Sequence, residues 1–338
     1  MCTYNGEKYL RQQLDSILAQ TYPIREIIIQ DDHSTDGTMD ILLEYAAKYP
    51  VIKVLVHEQH TTVNENFFSA FGKATSEYIA IADQDDIWMT DKIARQMETI
   101  GDKWCCFHLT QHFVGTPPVS PMIDKRELNY GLERTVFLGV VPGHTMLIHK
   151  KLYDLYRQHV SKEKAEAAGY SFCYDTIMVM IADAYNMMTY LPAVLVYHRV
   201  HPTSFSTTLG RKDLSQRTVT NAIQMVWRNL SPTRRKEIKP LIKQRMLNMR
   251  LILDCFPSAP YTDNVREIID CYTDENWLAR SRFVWILIKN RNKIFYAPEH
   301  KQWVAVLRAV TFPVTMYDYF EVSYKHWKER QTPIHSEN

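Results

Sequence analysis

Three carboxylates in four positions, Asp83, Asp85 and Asp86, close the apolar run Tyr78-Ile79-Ala80-Ile81-Ala82. Hard oxygen donors this close together suit Mg2+ or Mn2+, which keep waters and take further ligands from a substrate's phosphates. A short apolar run of this kind reads as a buried strand. A strand that ends in acids delivers them to the crevice where open α/β sheets bind ligands. Asp83, Asp85 and Asp86 are therefore the candidate metal ligands. The same aspartates could cap a following helix, and a lone Asp-x-Asp is a common tripeptide. The elements upstream weigh against that reading.

Those elements alternate. Leu10, Leu14, Ile17 and Leu18 recur at helical spacing until Tyr22-Pro23. Glu26 to Gln30 is a buried-type strand, followed by the polar loop Asp31-Asp32-His33-Ser34-Thr35-Asp36-Gly37-Thr38, which is rich in capping residues. A helix carrying Met39, Leu42, Leu43 and Ala46, a strand at 52–57 and a helix at 64–73 lead to the acid-tipped strand. Strands alternating with helices imply right-handed crossovers and a parallel sheet covered on both faces. Downstream, a helix over 90–100, a strand over 103–108, an irregular stretch over 110–134 and the segment Pro142-Gly143-His144-Thr145-Met146 follow. An amphipathic helix over 172–185 carries Asp175 near its first turn, and a last strand over 194–197 runs into His198-Arg199-Val200-His201.

Composition is that of an ordinary globular chain: 338 residues, 46% hydrophobic and 23% charged. The net charge of +2 hides a split, because residues 211–338 carry 22 Lys+Arg against 13 Asp+Glu. We place the domain change there, with an acidic catalytic region over 1–210 and a basic, mainly helical region over 211–338. Six cysteines without a C-x-x-C pair read as reduced thiols. The N-terminus lacks a signal-peptide h-region. The apolar stretch 304–320 is interrupted by Arg308, Pro313 and Asp318, which argues against a membrane span. An interfacial role remains for Trp303, Val304, Leu307 and Phe312, flanked by Lys301 and Arg308.

With these pieces in place, the front 200 residues resemble glycosyltransferase family 2, the inverting nucleotide-sugar transferases of the GT-A fold. The matching segments are Thr3-Tyr4-Asn5-Gly6-Glu7, Ile29 to Thr38, and Ala82-Asp83-Gln84-Asp85-Asp86-Ile87-Trp88. The last segment looks most like the rhamnosyltransferase-like members that build bacterial surface polysaccharides. The resemblance implies that Thr3, Tyr4, Asn5 and Asp32 line the nucleotide of a UDP- or dTDP-sugar, dTDP-rhamnose among them. It places Asp83 on the ribose or metal and Asp85 on the Mg2+ or Mn2+ that bridges the diphosphate. Asp86 either supports that site or caps the following helix. Asp175 matches the base that takes the proton from an acceptor hydroxyl, and Arg199 and His201 match an Arg-x-His facing the diphosphate. The implied partners are the donor and a saccharide or lipid-linked acceptor, with an anionic membrane surface but no nucleic acid. The implied location is cytoplasmic, peripheral on the inner face of the membrane.

The chain departs from the family in having only Met1-Cys2 before the first turn, which reads as a truncated first strand. It also lacks the membrane spans and the Gln-x-x-Arg-Trp motif of processive members; Gln224 to Arg228 is a near miss. Two other readings compete. A haloacid-dehalogenase-like phosphatase also ends a strand in Asp-x-Asp, but near the chain start and followed by Thr or Val, where Ile87 stands here. A catalytically weakened membrane-surface or nucleic-acid-binding protein would use the basic tail, though no nucleic-acid motif is visible.

Overall fold

The computed structural model describes residues 1–122, 130–137, 141–169, 172–201, 226–274, 276–295 and 302–331. They form two compact units. The first comprises Met1–Glu127, Val140–Ser161 and Phe172–Val200, and the second Leu128–Gly139, Lys162–Ser171 and His201–Asn338. The domain change expected near residue 210 lies outside the described residues. Two short segments of the front half also belong to the second unit.

In the first unit, β1 (Cys2–Thr3), β2 (Ile27–Asp31) and β3 (Ile52–Val56) make a parallel sheet in that order. Helix α1 (Glu7–Leu18) buries Leu10, Leu14 and Ile17, one apolar stripe, and α2 (Thr38–Lys48) buries Ile41, Leu42 and Tyr45. Helix α3 (Val63–Lys73) starts with a capping box in which Thr62 and Glu65 satisfy each other's backbone N–H. Beside β1, the Met1 ammonium donates to the Ile28 carbonyl at 2.8 Å. A cavity of about 340 Å³ opens there, lined by apolar side chains that include Ile27, Phe67, Phe71, Ile79 and Leu147.

The second sheet has the order β4-β7-β6-β8-β5, built from β4 (Tyr78–Ala80), β5 (Ile87–Trp88), β6 (Cys105–Phe113), β7 (Met146–His149) and β8 (Met188–Arg199). Helix α4 (Lys92–Ile100) precedes β6. The parallel arrangement expected from strand–helix alternation holds for β1–β3 and for β6 with β8. Strands β4, β5 and β7 pair antiparallel with their neighbours. Strands β4 and β5, joined by a short loop, lie at opposite edges of this sheet. Strand β6 also runs further than expected, through Phe113 opposite Arg199.

The second unit opens with the short helix α5 (Leu132–Thr135). The first unit resumes with the 3-10 turn Gly143–Thr145 and α6 (Lys151–His159). Helix α7 (Lys162–Gly169) belongs to the second unit and α8 (Tyr174–Ala184) to the first. The second unit then continues with α9 (Pro232–Leu253), α10 (Asp263–Thr273), α11 (Trp277–Lys289), α12 (Arg291–Ile294) and α13 (Gln302–Gln331). Ile242, Met249, Ile268, Leu287 and Met316 are fully buried among these helices.

Candidate active site

Strand β4 stops at Ala80, and the chain turns through Asp83-Gln84-Asp85-Asp86 into β5. Asp83 and Asp85 are half-buried, whereas Asp86 is fully buried. The pairing Ile87↔Tyr197 between β5 and β8 fixes what Asp86 meets. Its Oδ1 accepts from His198 Nδ1 at 2.8 Å and from the Arg199 backbone N–H at 3.2 Å. His144, from the 3-10 turn before β7, places Nδ1 3.2 Å from Asp83 Oδ2 and 3.7 Å from Asp86 Oδ2. Its ring stacks on that of His198, with centroids 4.7 Å apart.

Asp86 thus lies among imidazoles and shares His144 with Asp83. Burial works against its charge, but His144 and His198 outweigh this and hold its carboxyl below the usual range. Burial likewise opposes charge on His198, yet the hydrogen bond to Asp86 raises its pKa. Asp86 and His198 thus form a buried carboxylate–imidazole hydrogen bond, tied to the backbone of β8. Lys92 lies close by, fully buried, with Nζ 3.6 Å from the Trp88 ring centroid. Burial pulls its pKa down to about 7.

The donor atoms of Asp86, His144 and His198 all lie within 4.8 Å of one another. Asp86 Oδ2 and His144 Nε2 are buried without a hydrogen-bond partner, so coordinating capacity remains. One carboxylate and two imidazoles suit a transition-metal ion better than Mg2+.

Asp175 stands at the start of α8, half-buried, where its Oδ1 accepts from the Thr176 backbone N–H at 2.6 Å. Burial raises its pKa to about 6; the charge of Asp83 adds to this, and hydrogen bonds from Thr176 and Gly143 oppose it. The Asp83 charge thus reaches Asp175, although 92 positions separate the two in sequence. The segment ahead of Asp175 is held from α3. Asn64 Nδ2 donates to the Phe172 carbonyl at 2.9 Å, and Asn64 Oδ1 accepts from the Tyr174 N–H at 2.7 Å. Tyr174 stacks on Phe67 at 3.8 Å, and its hydroxyl approaches Gly143 so closely that any Cβ there would collide with it.

The residues expected to line the nucleotide fall into two kinds. Thr3 and Asn5 hold the polar loop. Thr3 Oγ1 donates to Asp31 Oδ2 at 2.6 Å, and Asn5, at φ 47°, bonds Ser34 Oγ and the Thr35 N–H. The backbone of Tyr4 is clamped by Gln84, which accepts from its N–H at 2.8 Å and donates to its carbonyl at 3.0 Å. The Tyr4 ring remains 39% exposed, with the His60 ring 4.6 Å away. Asp32 is buried; its Oδ1 accepts from the Thr61 N–H at 2.7 Å, and its Oδ2 lies 2.9 Å from His60 Nδ1.

Arg199 differs from expectation. Its Nε donates to the Asp85 carbonyl, Nη1 to the Gly115 carbonyl and Nη2 to Gln12 Oε1. Its guanidinium lies within 4.6 Å of the ring centroids of Tyr9 and Phe113. A buried arginine committed in this way holds the Asp85–Asp86 turn. His201, half-buried, is the first residue of the last segment of the second unit. His144, His198, Asn64 and Gln84 gave no signal of their own in sequence, because each acts on a partner at least 60 positions away.

Residues 1–156 match the sequence profile of Glycosyl transferase family 2. TuaG of Bacillus subtilis (strain 168), by name a teichuronic acid biosynthesis glycosyltransferase, is 35% identical over 119 residues, 34% of this chain and 47% of TuaG. The dTDP-rhamnosyl transferase RfbG of Shigella flexneri is 37% identical over 105 residues, 30% of this chain and 36% of RfbG. EpsE of Bacillus subtilis (strain 168), by name a glycosyltransferase, is 36% identical over 189 residues, 56% of this chain and 57% of EpsE. The matches thus span about half or less of most of these relatives. Among solved structures, residues 1–349 of TarS from S. aureus, in complex with UDP-GlcNAc, align over 97% of this chain and 89% of that one. The TM-score is 0.54 at 16% identity, and the shared fold is GT-A.

Proposed function

Because residues 1–156 match the profile of glycosyl transferase family 2, we propose that this chain is a member of it, an inverting transferase that moves a sugar from a UDP- or dTDP-sugar to an acceptor hydroxyl. The observation that carries the reading is Asp175: a half-buried carboxylate at a helix start, with a pKa near 6 and within the field of Asp83. Such a group is largely ionised at neutral pH, yet basic enough to take a proton from a hydroxyl as it attacks the anomeric carbon. Asn64 and Gly143 set its direction.

We assign the donor to the crevice where Tyr4, Asp32 and Asp83 end their strands. The exposed Tyr4 ring offers a stacking face for the base. The divalent ion would be held by Asp83, Asp85 and Asp86, with His144 as a nitrogen donor beside them. When bound, it supplies positive charge that stabilises the departing nucleoside diphosphate. Arg199 keeps the Asp85–Asp86 turn in place. dTDP-rhamnose is the donor favoured by the Asp-Gln-Asp-Asp-Ile-Trp segment. A surface-polysaccharide intermediate, free or lipid-linked, is the acceptor favoured by the kind of relative this chain matches. We place the work at the cytoplasmic face of the membrane.

A donor screen tests the reading. The protein with Mn2+ or Mg2+ is offered UDP-, dTDP- and GDP-sugars, and nucleoside diphosphate release is measured. Release from one UDP- or dTDP-sugar that requires Asp175 and acceptor supports it. Release from none of them, or only from a GDP-sugar, overturns the donor assignment.

A further inference from the structure

Helix α13 lacks a polar face along its first turns. Ala305, Ala309, Phe312 and Met316 are buried on one side. The other side carries Trp303, Leu307 and Val310, exposed by 65%, 53% and 48%, with Val306 and Val314 half-buried between them. A helix that is apolar all round is normally enclosed. Helix α11 packs against α13 and repeats the pattern: Phe283, Ile286 and Leu287 are buried, while Trp277, Leu278 and Trp285 are exposed. Both helices bury their inner faces on Phe137, which lies 6.1 Å from Phe283 and 5.3 Å from Phe312 between ring centroids. The exposed tryptophans therefore stand on the sides turned away from that shared core.

Charge identifies the occupant. Between Asn276 and Tyr317 the chain carries seven Lys and Arg but one acid, Glu299. Arg280 and Lys289 are exposed on α11 itself, among its tryptophans, while Arg282 is exposed but paired with Glu267 on α10. A protein partner with an apolar interface would not require this excess. A bilayer surface matches both features, since Trp prefers the headgroup level and long cationic side chains reach anionic headgroups from apolar surroundings. None of the described helices is long and apolar enough to cross a membrane, which fits lying on it rather than through it.

We propose that the outward faces of α11 and α13 form a docking surface for an anionic lipid bilayer. Trp277, Trp285, Trp303 and Leu307 insert at the headgroup level, and Arg280 and Lys289 contact acidic headgroups. The surface holds the chain at the membrane independently of which donor it uses.

Vesicle sedimentation tests this with the full chain. Binding to phosphatidylglycerol-containing vesicles should exceed binding to pure phosphatidylcholine by about tenfold or more, and should fall steeply from 50 to 500 mM salt, because each cationic contact is screened. Quenching of tryptophan fluorescence by brominated lipid should accompany binding. Trp285→Ser/Trp303→Ser should lose about tenfold in partitioning with an unchanged melting temperature, since both residues are exposed; Leu43→Ser, on α2 of the first unit and 57% exposed, should change nothing. Arg280→Glu/Lys289→Glu should remove the preference for anionic lipid and leave nucleoside diphosphate release in solution intact. Equal binding to neutral and anionic vesicles, or parent-like binding by the tryptophan variant, would overturn the proposal. So would a parent that is dimeric in sedimentation velocity and a tryptophan variant that is monomeric, because the face would then be a contact between copies.

Discussion

Asn64 and Tyr174 lie 110 positions apart, yet the Asn64 carboxamide accepts the Tyr174 N–H at 2.7 Å and donates to the Phe172 carbonyl at 2.9 Å. A side chain on α3 thereby occupies a backbone donor and a backbone acceptor just ahead of Asp175. The start of α8 is aimed by a residue that need not touch substrate.

Asn64→Ala should expose that role. Two partly buried backbone groups lose their partner, at a cost of roughly 1–3 kcal/mol in stability. Transfer turnover should fall at least tenfold as Asp175 loses its direction, while nucleotide affinity measured by calorimetry stays near that of the parent. A parallel loss of nucleotide affinity would show that Asn64 serves the donor instead.

Asp175→Asn keeps size and most hydrogen bonds but cannot accept a proton. Turnover with acceptor should drop by roughly 10² to 10⁴, the usual contribution of a positioned base, with nucleotide binding unchanged. Asp85→Asn should weaken Mn2+-dependent nucleotide binding together with rate. Kinetics and calorimetry on both variants separate proton transfer from donor binding; near-parent turnover in Asp175→Asn would move the base elsewhere, with Asp183 the next candidate.

The pH profile should follow from Asp175. Its carboxyl must be ionised to act, so transfer should rise with pH through about 6, and this limb should vanish in Asp175→Asn. The stability effect has the opposite sign. The folded-state pKa lies above the ordinary value of 3.8, so the folded chain binds more protons between the two. Stability falls as pH rises from about 4 through 6, and Asp175→Asn should recover roughly 2 kcal/mol at pH 8, allowing for partial exposure. Chemical denaturation at pH 5 and pH 8 measures it.

Asp86→Asn tests the buried pair. Removing the anion leaves His198 without its counter-charge, and breaking a buried pair on one side costs roughly 3–5 kcal/mol. Asp86 has a depressed pKa, so its contribution is present above about 3.8 and fades as pH falls below that. His198 has a raised pKa, so its contribution is full below 6.5 and fades as pH rises through the folded value. The difference between parent and variant should therefore be largest between these limits, read by urea melts across pH 4 to 8. A flat difference would mean that the pair is not ionised.

Much of the first unit was legible in the linear chain, because its signals are local. An apolar run followed at once by acids reads as a strand with acids at its end, and β4 with the half-buried Asp83 and Asp85 follows that order. Strand β4 is nevertheless a half-buried three-residue edge strand rather than the buried strand expected over 78–82. The stripe Leu10, Leu14, Ile17 likewise announces α1, and an Asp ahead of the apolar 177–184 segment marks the start of α8. What tertiary structure decided is which distant groups meet. The β5–β8 register placed Asp86 on His198, and extension of β6 alongside β8 placed Phe113 beside the Arg199 guanidinium. His144 entered through a 3-10 turn that has no periodicity to read, and Asn64 lies on a helix whose apolar face says nothing of α8. Such contacts depend on strand pairing and helix placement over 60 to 110 positions, which local spacing does not encode.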